Sequence, residues 1–254
     1  MMIKYITIAI LFIASLSLIK ANVEFTLCPT CVDFISNDMG DLEKIISGGI
    51  ATSCGAVCSL LPSNLEQGAC NLLCDIVGID EFIKVFNNIG EDADPVWICE
   101  ELTVCPKNKK SDATLLAAEV SPTSGPHGTT FTIGVAYKVE STLGTGEVAV
   151  MVVDPTGSNG FGDAQLIVNT QPGQYSTSFS FAAKPSEDES FPAGVYQVEL
   201  NVCEGACGTK HGIVLSSSTT NFTVTSGPSV TGQMTGSGSG SGSGSSSGSG
   251  AAFF

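Results

Sequence analysis

The sequence contains no arginine. Its ten basic residues are all lysines, they face 25 acidic residues, and the formal net charge at pH 7 is −15. Nucleic-acid binding needs clustered positive charge, usually with arginine to recognise phosphates and bases. Anionic membranes would also repel a chain of this charge. We therefore expect no nucleic-acid partner, and the composition weighs against a cationic mode of membrane attack.

Long apolar runs are also scarce, and the clearest one, "YITIAILFIASLSLI", follows Lys4 near the N-terminus. It is shorter than the roughly 20 residues that span a bilayer. A lysine before it and the small residue Ala21 after it are typical of a cleaved export signal. We expect residues 1–21 to be a signal peptide and the mature protein to be secreted and extracellular.

Histidine is limited to His127 and His211, and neither lies in a motif that suggests a catalytic triad. The tail matches "GSGSG" only within a low-complexity repeat, where a nucleophile elbow has no strand or helix around it. The segment from Asp154 to Asp163 carries several oxygens but lacks the ligand spacing of a calcium loop. The sequence therefore predicts no catalytic residues, no cofactor and no enzymatic activity.

Ten cysteines in an exported chain predict a disulfide framework. Eight lie between Cys28 and Cys105, whereas Cys203 and Cys207 lie far downstream and are expected to close a local loop. Metal ligation by the eight is the alternative, but no histidine accompanies them and the compartment is oxidising. We expect no metal site.

The chain divides into four segments. The signal peptide (1–21) precedes a helical domain (22–110), a β-rich domain (111–226) and a Gly/Ser-rich tail (227–254) that we expect to be disordered. About seven β-branched or alternating runs in the third segment predict an antiparallel, immunoglobulin-like β-sandwich. In the second segment, Ser63 with Glu66 and Asp94 with Pro95 predict two helix starts. The expected fold class is α + β and multidomain.

The four central cysteines lie in two pairs, each one helical turn apart. If the two helices fold back antiparallel, nested bridges Cys54–Cys74 and Cys58–Cys70 match the geometry. The crossed pairing, Cys54–Cys70 with Cys58–Cys74, is the alternative.

The opening "CPTC" at Cys28 and Cys31 and the closing "DPVWICEELTVC" resemble the ends of a saposin B-type domain. In that family the first cysteine joins the last and the second joins the second-last. The resemblance therefore implies Cys28–Cys105 and Cys31–Cys99. The four central cysteines depart from the usual pattern, which has one central bridge.

The order of signal, helical domain, β-rich domain and Gly/Ser tail resembles the countin family of social amoebae. "VSPTSGPHGTTFTI" also resembles the first strand of an immunoglobulin-like domain of the transcription-factor type. The countin resemblance implies a secreted, non-enzymatic factor that regulates the size of multicellular groups, within a complex of secreted proteins. The alternative is a lipid-binding or membrane-perturbing, pore-forming effector.

Apolar faces of the predicted helices are the candidates for contact with a lipid or membrane surface. They could equally be the core of a closed domain, and the pattern leaves both alternatives open. The residues are Phe34, Ile35, Leu42, Ile46, Phe82, Ile83, Phe86 and Ile89. Separately, Asn221 in "NFT" is an acceptor for N-glycosylation in an exported chain.

Overall fold

The computed structural model describes residues 27–49, 52–89, 94–185 and 191–227. The predicted signal peptide (1–21) and the tail beyond residue 227 lie outside these ranges. In the described chain, helices come first and strands follow.

Five helices form an N-terminal layer, and capping confirms two of the predicted helix starts. The helices are α1 (27–47), α2 (Cys54–Cys58), α3 (Asn64–Val77), α4 (Ile79–Asn88) and α5 (Pro95–Glu101). At α3 the side chains of Ser63 and Glu66 each accept the other's backbone N–H, which is a capping box. At α5 the Asp94 side chain accepts the N–H of Trp97, and Pro95 occupies the first turn.

The helices bury one apolar face each around a shared core. The buried residues at its centre include Ile35, Leu42, Leu73, Phe82, Ile98 and Leu102. Disulfide sulfurs fill part of the same space, because eight cysteines in this layer form four disulfides and six of the eight are fully buried. Val168, from the β-rich part, also packs against this core.

Within the described ranges, eight strands follow in two sheets. They are β1 (Asp112–Ser121), β2 (Ser124–Pro126), β3 (Thr130–Ser141), β4 (Thr145–Val153), β5 (Gly160–Val168), β6 (Gly173–Ala182), β7 (Gly194–Glu204) and β8 (Ile213–Thr225). One sheet has the order β1-β3-β6 and the other the order β2-β8-β7-β4-β5. Most neighbours are antiparallel, but the short β2 runs parallel to β8, so the expectation of an antiparallel sandwich fails at this pairing.

Alternation of side chains along the strands builds the core between the sheets. On β3, every second residue from Phe131 to Val139 is buried. The other sheet contributes β7, on which every second residue is also buried: Tyr196, Val198 and Leu200. The fully buried Tyr196 donates its hydroxyl to the carbonyl of Pro192 at 2.9 Å, so its polar end is satisfied.

The fold class expected from the sequence is wrong. Within the described residues β structure dominates, with eight strands in two sheets, and the five short helices do not amount to a saposin-like domain. Helical periodicity and cysteine spacing identify each amphipathic helix, but they carry no information on how the helices cross. Nor do they indicate that α5 and the residues after it pack directly on the sheets.

Candidate functional site at the helix–sandwich junction

The segment that leaves α5 is tied to the sheets by Glu204, which is buried at the end of β7. Its Oε1 accepts the backbone N–H of Asn108 at 2.7 Å. Its Oε2 accepts the hydroxyl of Ser111 at 2.7 Å and the backbone N–H of Gly144 at 3.0 Å. A Cβ on Gly144 would lie 2.5 Å from Glu204 Oε1, so only glycine permits this approach. One carboxylate thus joins three separate segments of chain.

Helix α5 itself docks on the loop that follows β7. The Cys203–Cys207 disulfide closes this loop. The hydroxyl of Thr209 in this loop donates to Oδ2 of Asp94 at 2.7 Å, while Oδ1 of Asp94 caps α5. The indole of Trp97 stacks on the imidazole of His211, with ring centroids 4.3 Å apart. These contacts, together with those of Glu204, define the helix–sandwich junction.

Two of the junction carboxyls have raised pKa values because they are buried. Burial raises the pKa of Glu147 on β4, and the nearby Asp94 raises it further, although a hydrogen bond from the backbone N–H of Cys207 at 2.8 Å opposes the effect. Burial also raises the pKa of Glu204, against hydrogen bonds from Ser111 and from backbone N–H groups. Both carboxyls therefore favour the protonated form more than an exposed glutamate does.

Glu100 on α5 is the most perturbed carboxyl of the junction. Its Oε2 lies 3.0 Å from Nζ of Lys107, but its buried Oε1 has no hydrogen-bond partner among the described residues. Burial raises its pKa to about 7, while the hydrogen bond and charge of Lys107 act in the opposite direction and Glu204 and Asp94 add to the rise. The junction therefore contains a group that gains and loses a proton near neutral pH.

A cleft of about 640 Å³ opens beside the junction, between the first turns of α1 and the neighbouring edges of the two sheets. Its apolar wall includes Val32, Val150, Phe161 and Phe181, and Phe161 and Phe181 meet edge to face with centroids 5.0 Å apart. Cavities of this size and lining accommodate small ligands or short chain segments.

All ten cysteines lie in disulfides, and the pairs are those expected from the sequence. They are Cys28–Cys105, Cys31–Cys99, Cys54–Cys74, Cys58–Cys70 and Cys203–Cys207. The central pairs are nested rather than crossed. Disulfides on this scale are typical of an extracellular protein.

The eight apolar candidates for lipid contact lie in the helical core. Seven of them are buried and Ile83 is partly buried against the same core, so the structure favours the core alternative for this set. Exposed apolar side chains in the helical part lie elsewhere, among them three on α3, where Leu65 is 84% exposed and Leu72 and Ile76 are each 45% exposed. These three, spaced by seven and four residues, share one helix face and are called the α3 stripe.

The other residues singled out in the sequence are dispersed. Asn221 is exposed on β8, and His127 contacts the carbonyl of Phe191 at 2.7 Å. The Asp154 side chain accepts hydrogen bonds from Thr156, Ser158 and Asn159 and so shapes the β4–β5 turn. Among the described residues no cluster of metal-type side chains is found, and no helix there combines the length and apolarity needed to cross a bilayer.

Sequence reasoning missed the junction carboxyls Glu100, Glu147 and Glu204. Each stands inside an apolar run, in "WICEELTVC", "GEVAVMVV" and "VELNVCEGAC". An acidic residue within a core-forming run is the signal that could have marked them, because a carboxylate is seldom buried without partners.

Comparisons with known proteins find similarity over both parts of the chain. The model of the countin N-terminal domain matches residues 25–103, and that of the countin C-terminal domain matches residues 113–229. Countin-2 of Dictyostelium discoideum is 85% identical over 253 residues, covering 100% of this chain and 99% of that protein. Countin-1 of the same organism is 45% identical over 206 residues, covering 80% of this chain and 79% of that protein.

Likeness to solved structures is slight. The alkylpurine DNA glycosylase AlkC of Pseudomonas fluorescens aligns with 67% of this chain and 52% of its own, at a TM-score of 0.40 and 15% identity, too little to bear on fold or function. The names of the similar proteins from Dictyostelium denote no enzyme. With both family models and near-complete coverage at 85% identity, this chain belongs to the countin family.

Proposed function

We propose that this chain is a secreted, non-enzymatic factor that regulates the size of multicellular groups as part of an extracellular assembly. The observation that carries the proposal is the 85% identity to Countin-2 over 253 residues, which includes both the helical and the β-rich part. Five disulfides support action outside the cell.

The hydrogen bonds of the junction support a structural rather than a catalytic use of its carboxyls. Glu204 accepts from two backbone N–H groups and a hydroxyl, and Glu147 accepts from one backbone N–H. Asp94 caps a helix and accepts from Thr209. Such contacts fix the chain, whereas covalent catalysis needs a nucleophile held against a base.

Gene deletion tests the proposal. In the organism that produces this protein, deletion is expected to change the mean number of cells per group when starved cells aggregate. Deletion cells that form groups of the parental size, over a range of cell densities, would refute the proposed role.

The α3 stripe supports contact with another member of the assembly. Among the described residues, Leu65 is mostly exposed and Leu72 about half exposed on the same face of α3, and exposed apolar patches commonly mark interaction surfaces. Replacing both by serine is expected to shift the protein in conditioned medium from a large to a small species in size-exclusion chromatography. Unchanged elution would refute this contact, and co-sedimentation of the parent protein with phosphatidylcholine vesicles would favour the lipid alternative instead.

N-glycosylation of Asn221 belongs to the same proposal. The side chain is exposed on β8, where a glycan can be accommodated without disturbing the core. Glycosidase treatment of the secreted protein is expected to increase its gel mobility, and Asn221→Gln should remove that increase. Equal mobility of the parent and the variant would show that the site is unused.

A further inference from the structure

The cleft is bordered by two strand edges that carry no neighbouring strand. Within the described residues β5 pairs only with β4, and β6 pairs only with β3. The side chains of Gln165 and Thr177 hydrogen-bond across the two sheets near the β5–β6 turn. Further from that turn the sheets separate, and the cleft opens between Phe161 on β5 and Phe179 and Phe181 on β6.

The open edge of β5 offers backbone groups to the cleft. The N–H of Ala164 donates to Oδ1 of its own neighbour, Asp163, at 2.8 Å, so an added strand would take over this donor from the carboxylate. In a regular antiparallel ladder the backbone groups two residues away face the same side, so those of Gly162 and Leu166 face this edge too. All three residues line the cleft. A free edge of this kind pairs with an added strand.

The charge of the cleft indicates the charge of the partner that it would bind. The acidic side chains of Asp33, Glu147 and Asp163 line it, and the described residues of its lining include no lysine or histidine. None of these three acids takes part in the ion pairs found among the described residues. The hydrogen bonds that they do accept come from neutral donors. A cationic occupant would therefore meet uncompensated negative charge.

We propose that the cleft receives an extended, lysine-bearing segment of a partner protein, which adds as a strand to the free edge of β5. On the face between the sheets, an apolar side chain of the segment lies against Phe161 and Phe181, and a lysine two residues away faces Asp163. A lysine on the opposite face of the segment lies near Asp33. The first turns of α1 form the opposite wall of the cleft. This inference goes beyond the proposed function and does not rest on it, because binding is measured on purified protein without reference to group size.

Three blocked peptides of about seven residues serve as probes in fluorescence anisotropy. The first places phenylalanine and lysine two residues apart on one face and a further lysine on the other, the second replaces each lysine by glutamate, and the third keeps the lysines but is N-methylated at alternate residues. The lysine peptide is expected to bind at least tenfold more tightly than either of the others, roughly the effect of losing charge complementarity or strand pairing. Its affinity should fall as salt is added.

Variants of the protein locate the site. Asp163→Asn is expected to weaken binding of the lysine peptide about two- to fivefold, as for a partly exposed ion pair. Ala164→Pro removes the edge N–H without removing a bond to β4, and proline is tolerated on edge strands. It should abolish most of the binding. Glu199→Gln, an exposed carboxylate on β7 of the same sheet, is the matched control and should leave affinity unchanged.

Each other outcome overturns the proposal. No binding of the lysine peptide at about 1 mM would remove the site as a peptide site. Equal binding of the N-methylated peptide would mean that the cleft takes cations without strand addition. Equal effects of Asp163→Asn and Glu199→Gln would place the binding elsewhere. Should Ala164→Pro fail to fold by circular dichroism, Asp163→Asn and the N-methylated peptide still decide.

Discussion

Replacing Glu100 by glutamine is expected to remove a pH-dependent penalty from the folded state. The pKa of this buried carboxyl is about 7 in the folded protein against an ordinary value of 4.5. A carboxyl with a raised pKa stabilises the fold fully below its unfolded pKa, and that contribution is lost as pH rises through the folded pKa. The free energy of unfolding therefore falls between pH 4.5 and about pH 7, and the loss is up to about 3 kcal/mol.

Other carboxyls act in this window as well, so the comparison is made between variant and parent. The pKa values of Glu147 and Glu204 are also raised, with the same sign. For Asp154, burial raises the pKa but hydrogen bonds from the β4–β5 turn outweigh it, so the net shift is downward and acts below its ordinary value of 3.8. These contributions cancel when the free energy of unfolding of the parent is subtracted from that of Glu100→Gln.

Urea denaturation followed by tryptophan fluorescence is the assay, because Trp97 is the only tryptophan and stacks on His211 in the junction. Between about pH 4.5 and about pH 8, Glu100→Gln should gain up to about 3 kcal/mol relative to the parent. Glu101→Gln is the control: its carboxylate lies 3.6 Å from Nζ of Lys107 but its side chain is 47% exposed.

A difference between Glu100→Gln and the parent that stays constant with pH would refute the reasoning. A difference that falls with rising pH would mean that the ion pair with Lys107 outweighs burial. The same pH dependence in Glu101→Gln would assign the effect to loss of charge near Lys107 rather than to the buried position.

Three further substitutions test the packing, each by urea denaturation. Leu73→Ala in the helical core should cost about 2–5 kcal/mol, whereas Leu65→Ser on the α3 stripe should change stability by less than about 0.5 kcal/mol; similar losses would contradict the assignment of Leu73 to the core and Leu65 to the surface. Tyr196→Phe should cost about 1 kcal/mol through its lost hydrogen bond, and no loss would show that the bond contributes nothing. Thr209→Val leaves an oxygen of Asp94 unpaired and should cost about 1–3 kcal/mol, with altered tryptophan fluorescence; an unchanged spectrum would argue against docking of α5 on the loop.

Local features of the fold could be predicted from the sequence because their causes are local. Ser63 and Glu66 are three residues apart, so their capping box needs nothing beyond the helix start. The nested bridges Cys54–Cys74 and Cys58–Cys70 follow from two helices folded back on each other. The alternation of side chains along β3 likewise predicts which of its residues are buried.

The candidate site could not be predicted, because residues far apart in sequence build it. Glu204 meets Asn108 across 96 positions, and Thr209 meets Asp94 across 115, distances over which no periodicity extends. The wrong fold class has the same origin: the helix starts at Ser63 and Asp94 depend on local sequence, whereas the packing of α5 on the sheets depends on residues far away in the chain. The cleft also depends on where the sheets separate, which the turn between β5 and β6 does not reveal.

The central claim is that the folded protein acts outside the cell on the size of groups. The most direct measurement adds purified, disulfide-intact protein to starved cells in which the gene is deleted and counts the cells per group. The account predicts a dose-dependent return to the parental group size, whereas protein that has been reduced and alkylated has no effect. Deletion cells that keep the same group size at every dose of intact protein would contradict it.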